Sequence, residues 1–147
     1  MTEAAKNDLR VGAFVAIVDD KGRLLLLHRN DRDQWCMPGG LFEVGESVAH
    51  CAIRECREEI GVDIELERVL GIYSDPKSHL FHMKDGVTRQ YITIVFRGKI
   101  ISGEPKAHPS ESRDLRFFTH DELPPVVPSH LVWIEDAFSN QKEPFIK

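Results

Sequence analysis

Residues 40–62, GLFEVGESVAHCAIRECREEIGV, decide the fold of this 147-residue chain. Residues 47–60 contain neither glycine nor proline, which predicts a helix. Ser47 is a favourable N-cap residue, because its hydroxyl can accept a hydrogen bond from a free backbone N–H of the first turn. Gly61 suits the position where a helix ends in the left-handed conformation. The stretch therefore predicts one central helix with a capping residue on each side.

Three carboxylates share one side of this predicted helix. At about 100° per residue, Glu58 and Glu59 lie roughly 60° and 40° to either side of Glu55. Like charges at positions i and i+4 cost an isolated helix about 0.2–0.5 kcal/mol, so a compensating positive charge is expected. Two sources remain open: salt bridges from Arg54 and Arg57, or a divalent cation bound by carboxylate and carbonyl oxygens.

The stretch resembles the signature of the Nudix hydrolases, the MutT-like family, whose pattern is G-x5-E-x7-R-E-U-x-E-E-x-G-U with U a bulky apolar residue. Every polar and glycine position matches; these positions are Gly40, Glu46, Arg54, Glu55, Glu58, Glu59 and Gly61. Cys56 stands where the family usually has Ile, Leu or Val, and as a small buried hydrophobe it fits there. Residues 35–40, WCMPGG, resemble the W-x-x-P-G-G lead-in of the family. The resemblance covers about residues 10 to 138.

The resemblance implies an α/β fold, a Nudix-type α/β/α sandwich with a mixed β-sheet. Local patterns predict a hairpin from residues 11–18 and 24–27, strands over 64–73, 91–96 and 115–118, and a terminal helix over 130–138. Residues 74–86 read as a polar loop, with His79 and His82 as solvated side chains. We expect residues 1–10 to be a flexible N-terminal leader, residues 11–140 a single domain and residues 141–147 a C-terminal tail.

The resemblance also implies roles for the motif residues. Glu58 and Glu59 correspond to metal ligands, with the carbonyl oxygen of Gly40 as a third ligand, and the metal is Mg²⁺ or Mn²⁺. Glu55 corresponds to a further ligand or to the general base that takes a proton from water. Arg54 corresponds to the residue that orients Glu55, which makes Glu55 and Arg54 the candidate catalytic pair. Glu46 is expected to brace the loop against the helix.

Five candidates lie outside the central motif. Glu111 is a candidate metal ligand or base, and the alternative is a loop acid paired with Arg113. Arg29 is a candidate substrate contact, and the alternative is an exposed charge at a strand end. Gly39 is expected to approach the substrate phosphates, because glycine has no side chain to obstruct them. Tyr91 could stack on a base; Trp35 could do the same, although either aromatic ring could instead belong to the core.

Composition excludes several classes of function. The chain has 19 Lys and Arg residues against 24 Asp and Glu, a formal net charge of −5. It has no basic stripe, so nucleic acid is not an expected partner. No apolar run approaches the roughly 18 residues that a membrane span needs. Cys36, Cys51 and Cys56 include no CxxC pair, which indicates reduced packing residues in a cytoplasmic protein.

By resemblance, the expected function is metal-dependent hydrolysis of a diphosphate linkage in a nucleoside diphosphate derivative, either an ADP-ribose-like compound or a nucleoside triphosphate. One alternative is a non-catalytic Nudix-fold sensor that binds nucleotides; such proteins typically lose motif acids, whereas all of them are present here. A metal-free glycosidase is a second alternative, and it needs two separated acids rather than a dense cluster. Because dimers are common in the family, a homodimer is a further expectation.

Overall fold

The computed structural model describes residues 6–147, which form nine strands and three α-helices. The strands are β1 (Lys6–Ile17), β2 (Leu24–Arg29), β3 (Trp35–Cys36), β4 (Gly39–Leu41), β5 (Asp63–Tyr73), β6 (Leu80–His82), β7 (Val87–Ser102), β8 (Ser112–Phe118) and β9 (Phe145–Ile146). The helices are α1 (Val48–Ile60), α2 (Pro76–His79) and α3 (Leu131–Ala137), with 3₁₀ turns at His120–Glu122 and Pro128–His130. Within this part of the chain, no helix is long and apolar enough to span a membrane.

Two sheets form the scaffold. The larger sheet has the order β4-β1-β7-β5-β9, with β6 also paired to β7. It is mixed, because β1 runs parallel to β7 and β9 parallel to β5, while the other pairs are antiparallel. The smaller sheet, β3-β2-β8, is antiparallel throughout.

Helices α1 and α3 cover opposite faces of these sheets. The side chains of a strand alternate between its two faces. Along β1, Val15 and Ile17 therefore join the core beneath α1, while Phe14 and Ala16 join the core beneath α3. Two cores separated by sheet confirm the predicted α/β/α sandwich.

The predicted hairpin of residues 11–18 and 24–27 is wrong. The turn itself is present, with the Asp19 carboxylate accepting from the backbone N–H groups of Lys21 and Arg23. Beyond it, only the isolated bridge between Val18 and Leu24 joins the two segments. The strands then separate, because β1 pairs with β7 in the larger sheet and β2 with β8 in the smaller one.

The expected leader and tail also differ from the structure. Residues 6–10 belong to β1 and pair with β7, starting at Lys6 opposite Val87; residues 1–5 of the expected leader lie outside the described residues. In the expected tail, β9 pairs with β5, and the backbone N–H of Lys147 donates to the carbonyl oxygen of Ile72 at 3.0 Å. Both segments are held by backbone hydrogen bonds, which leave little trace in a hydrophobic pattern.

Candidate active site

Helix α1 begins and ends as the sequence predicts. The Ser47 hydroxyl accepts from the backbone N–H of His50 at 3.0 Å. Gly61 adopts the left-handed conformation with φ 69°, and its N–H donates to the carbonyl oxygen of Arg57. Its buried side chains, among them Cys51, Cys56 and Ile60, anchor the helix to the sheet. The opposite arc, with Glu55, Glu58 and Glu59, faces the loop that precedes the helix.

Strand β4 brings its backbone directly against two of these carboxylates. The N–H of Gly39 donates to Oε1 of Glu59 at 2.8 Å. A Cβ atom added to Gly40 would lie 2.4 Å from Cδ of Glu55, so a side chain at this position would displace the carboxylate. Gly39 has φ +150°, and a Cβ there would lie 2.4 Å from the carbonyl oxygen of Ala13. Close packing against the backbone therefore requires glycine at position 39, whereas glycine at position 40 leaves the space that the Glu55 carboxylate occupies.

Arg54 connects the loop to the carboxylates. Its Nε and Nη2 atoms donate to the two carboxylate oxygens of Glu46, each at 2.9 Å. Its Nη1 atom donates to Glu55 at 3.1 Å and to Glu58 at 3.2 Å. Nη2 also reaches the carbonyl oxygen of Leu41 at 3.3 Å. Glu46 thus braces the loop through Arg54, whose hydrogen bond lowers the pKa of Glu46 to about 2.

The carboxylate cluster is electrostatically strained. Burial raises the pKa of Glu59 to about 8, and repulsion from Glu55 and Glu111 adds to this rise. Burial also raises the pKa of Glu55, although the guanidinium of Arg54 opposes the shift. Salt bridges from Arg54 therefore compensate only part of the negative charge, and Arg57 pairs with Asp63 instead of the helix acids. A cation would favour the charged forms of these acids.

The donor set suits a hard divalent cation. It consists of the carboxylate oxygens of Glu55, Glu58 and Glu59 and the carbonyl oxygen of Gly40, which are the ligands that Mg²⁺ prefers. Among residues 6–147, no three His, Cys, Asp or Glu side chains already converge closely enough to hold a metal ion. Arg54 occupies oxygens of Glu55 and Glu58. Metal binding would therefore require these contacts to rearrange.

Glu111 lies near the cluster at the start of β8. Its charge raises the pKa of both Glu55 and Glu59, so its carboxylate acts on both within electrostatic range. The alternative partner Arg113 donates instead to the carbonyl oxygen of Asn30 at 3.1 Å. No ion pair joins Glu111 to Arg113 in the described part of the chain. These positions fit the role of Glu111 as an acid of the site better than a loop ion pair.

A cavity of about 350 Å³ opens on the α3 side of the sheet. Aromatic and basic side chains dominate its wall, among them Phe14, Tyr91, Trp133, Arg29, Arg32 and His130. Arg29 is held by Asp31 through hydrogen bonds of 2.7 and 2.9 Å. Tyr91 lines the same cavity, so its ring is available to stack on a base that enters it. Trp35 belongs to the core, where it stacks on His28.

The prediction that His79 is a solvated loop residue is wrong, whereas His82 is exposed as predicted. Helix α2, within the expected loop, turns the His79 ring inward, so the residue is only 2% exposed. Its Nε2 atom accepts from Nε1 of Trp133 at 3.1 Å. Burial lowers the pKa of His79, which keeps the ring neutral.

Sequence reasoning did not single out His130 or Trp133, the two residues that form the deep wall of the cavity. Their rings are in contact, with centroids 4.0 Å apart and planes inclined by 35°. The available signal was a pair of rings two and five residues after Pro128, where a 3₁₀ turn leads into α3. Such a turn aims neighbouring side chains in a direction that helical periodicity alone does not predict.

Comparison with known proteins identifies the family. A model of the NUDIX domain matches residues 8–137. The chain is 32% identical over 117 residues to a putative 8-oxo-dGTP diphosphatase of Bacillus subtilis (strain 168), covering 77% of this chain and 68% of that protein. It is 31% identical over 131 residues to an ADP-ribose pyrophosphatase of Methanocaldococcus jannaschii, covering 84% and 70%.

Solved structures agree with this match. A MutT NUDIX hydrolase from Burkholderia pseudomallei superposes with a TM-score of 0.75 at 29% identity, over 88% of this chain and 98% of that one. A UDP-X diphosphatase superposes with a TM-score of 0.73 at 27% identity, over 94% of this chain but 64% of that longer one. The predicted reaction class, hydrolysis of diphosphate linkages in nucleotide derivatives, is confirmed together with the fold. Because the domain model spans nearly the whole chain and the motif acids are complete, this protein belongs to the Nudix hydrolase family.

Proposed function

We propose that the substrate is an ADP-ribose-like compound or a nucleoside triphosphate, and that the cation is Mg²⁺ or Mn²⁺. The observation that carries the proposal is the complete set of motif acids packed against the backbone of Gly39 and Gly40. A nucleotide sensor without turnover would not need three acids held at such electrostatic cost. We also propose that the protein is a cytoplasmic enzyme that acts on small molecules and that it forms a homodimer.

A cation would supply the positive charge that the protein lacks for binding an anionic diphosphate. A diphosphate is a dense anion that repels hydroxide, and a protein with net charge −5 does not attract it. A bound divalent metal polarises phosphoryl oxygens and lowers the pKa of water. Glu58, Glu59 and the carbonyl oxygen of Gly40 would hold the metal. Glu55 would be a further ligand or accept the proton of the attacking water.

Arg54 is a positioning residue in this proposal. Because Glu46 fixes the orientation of the Arg54 guanidinium group, the Nη1 atom donates to Glu55 and Glu58 from a fixed position. This arrangement holds the carboxyl group of Glu55 on the side of the helix that faces Gly40. Loss of these contacts would leave Glu55 free to rotate away from the site.

Arg29 connects the acids to the cavity. Its charge lowers the pKa of Glu59 on one side and that of His130 on the other. A phosphate chain beside Arg29 could therefore reach the carboxylate cluster while the nucleoside enters the cavity. Arg32 adds a second guanidinium to the same wall. Glu111, whose charge also acts on Glu55 and Glu59, is the remaining candidate ligand or base.

A substrate panel tests the proposal. The panel contains ADP-ribose, nucleotide sugars, dinucleoside polyphosphates, normal and oxidised nucleoside triphosphates, and p-nitrophenyl phosphate. We expect release of a nucleoside monophosphate from at least one diphosphate-linked compound, loss of turnover in EDTA and recovery with Mg²⁺ or Mn²⁺. Full activity in EDTA, or efficient cleavage of p-nitrophenyl phosphate alone, would contradict the proposal.

A further inference from the structure

The ring of His130 is fixed at the deep wall of the cavity. Phe14 packs edge-on against it with ring centroids 5.1 Å apart, and the Trp133 ring packs against it at a tilt of 35° with centroids 4.0 Å apart. Trp133 is itself oriented by its hydrogen bond to His79. His130 is 7% exposed, so little of its surface remains available. What the ring presents to a ligand is therefore determined by its neighbours.

The tautomer of His130 is also determined. The backbone N–H of Met37 donates to Nδ1 of His130 at 3.3 Å, so Nδ1 must be unprotonated. Burial, aided by the charge of Arg29, lowers the pKa of His130 to about 3, which keeps the ring neutral. In a neutral imidazole whose Nδ1 is an acceptor, the proton resides on Nε2. His130 therefore offers one N–H donor and no acceptor.

This donor is open to the cavity. Nε2 of His130 has no hydrogen-bond partner among residues 6–147. It is not sealed in the core either, since Ser112 Oγ is the one fully buried side-chain polar atom without a partner in that range. His130 lines the cavity. A ligand group that enters this space therefore meets a free N–H at its inner end.

The charges of the cavity wall select the same kind of ligand. Arg29 and Arg32 are the charged side chains of the described lining, and no Asp or Glu belongs to it. The wall thus suits groups that accept hydrogen bonds. Adenine carries a ring-nitrogen acceptor on every edge, whereas guanine shares the N3 and N7 acceptors but has an N1–H donor in place of the N1 acceptor. The flat ring of a base also matches the aromatic lining.

We propose that His130 is a specificity-determining residue, whose Nε2–H donates to a ring nitrogen of an adenine base held in the cavity. The proposal rests on the proposed function, because it assigns the base of the nucleotide substrate. The hydrogen bond discriminates between bases because a base without an acceptor at this point leaves the N–H of His130 buried and unpaired, which costs binding free energy. His130 would therefore act on affinity for the nucleoside rather than on the chemical step.

Single-atom changes in the ligand test the proposal in the unmodified protein. Calorimetry in Mg²⁺ buffer compares AMP, a product of the proposed reaction, with its 1-deaza, 3-deaza and 7-deaza analogues, each of which lacks one ring acceptor. We expect one analogue to bind roughly ten- to hundred-fold more weakly than AMP, and the other two to bind much as AMP does. If 1-deaza-AMP is the weakened analogue, GMP is also expected to bind more weakly than AMP, because guanine has an N1–H donor at that position.

Two variants assign the effect to His130. In His130→Asn the amide oxygen can still accept from Met37 but nothing replaces the Nε2–H, whereas the longer His130→Gln can place an N–H near the position of Nε2. We expect the asparagine variant to lose AMP affinity by the same factor and to bind all three analogues alike, and the glutamine variant to recover much of the affinity. His120→Asn, at an exposed histidine paired with Glu135, is the matched control.

Several results would overturn the proposal. These are equal binding of AMP and its three analogues, absence of AMP binding at millimolar concentration, or an unchanged analogue profile in His130→Asn. If that variant does not fold, the analogue series in the unmodified protein still decides. Because binding of a product needs no turnover, failure of the substrate panel with intact discrimination among the analogues would overturn the hydrolase proposal alone.

Discussion

Gly39 and Glu59 are joined by a 2.8 Å hydrogen bond from the backbone N–H to Oε1, which ties strand β4 to helix α1 at the centre of the site. The bond fixes one oxygen of a carboxylate that is otherwise buried among like charges. The second oxygen remains for a cation. The main chain therefore determines the direction in which Glu59 can act as a ligand.

Glu59→Gln is expected to separate activity from stability. The amide oxygen can keep the hydrogen bond to Gly39, so the fold is retained, but the charge that binds the metal is lost. We expect kcat to fall by two orders of magnitude or more. The melting temperature of the metal-free protein should stay equal or rise, because a carboxyl group whose folded-state pKa is raised opposes folding at neutral pH.

Glu65→Gln on β5 is the matched control for this prediction. Glu65 is exposed, and its Oε1 atom lies 3.9 Å from Nζ of Lys99. It has no proposed role in the site. We expect its kcat and melting temperature to remain near those of the unmodified protein. A Glu59→Gln enzyme with normal kcat would contradict the assignment of Glu59 as a ligand.

Gly40→Ala is expected to reduce both activity and stability through one contact. The new Cβ would lie 2.4 Å from Cδ of Glu55, so the carboxylate must move. Thermal denaturation of Gly40→Ala, Glu55→Ala and the double variant forms a cycle. We expect the substitution at Gly40 to cost less stability once Glu55 has been shortened. An equal cost in both backgrounds would show that the clash is not with Glu55.

Arg54→Lys is expected to lower kcat more than it raises KM. Lysine cannot reproduce the two parallel hydrogen bonds to Glu46, so the donor to Glu55 is no longer fixed. Loss of this partly buried network should cost about 1–3 kcal/mol of stability. Arg57→Lys is the comparison, because the Arg57–Asp63 ion pair is exposed and its loss should cost at most about 1 kcal/mol. Similar kinetics in both variants would contradict the positioning role.

His130 makes stability depend on pH. Its pKa is about 3 in the folded protein against an ordinary 6.5, so below pH 6.5 the unfolded chain binds a proton that the folded chain does not. The contribution is complete above pH 6.5 and is lost progressively as pH falls towards 3. Between about pH 7.5 and pH 5, we expect the unmodified protein to lose about 2 kcal/mol more unfolding free energy than His130→Asn. Denaturant titrations at both pH values measure this difference, and equal losses would contradict it.

The elements that the sequence predicts correctly are determined locally. Helix α1 follows from Ser47, Gly61 and the residues between them, and the carboxylate cluster follows from the spacing along that helix. The positions of Gly39 and Gly40 against Glu59 and Glu55 depend on the same short segment. Local signals thus account for most of the carboxylate part of the candidate site.

The features that the sequence does not predict depend on distant partners. The segment after Asp19 looks like a hairpin, yet β1 and β2 separate because β7 and β8 are the partners they meet in the fold. Histidine is polar, yet His79 is buried because its ring accepts a hydrogen bond from Trp133, which lies 54 residues later in the chain. The same holds for His130, whose tautomer is determined by Met37.

Strand β9 is only two residues long, yet it occupies the outer edge of β5. An uncovered edge strand is a template on which a second molecule can add its own strand, the first step towards aggregation. Ile72 of β5 remains 40% exposed even with β9 in place. A C-terminal fusion or a cut before Phe145 would therefore reduce colloidal stability before it altered the distant carboxylates.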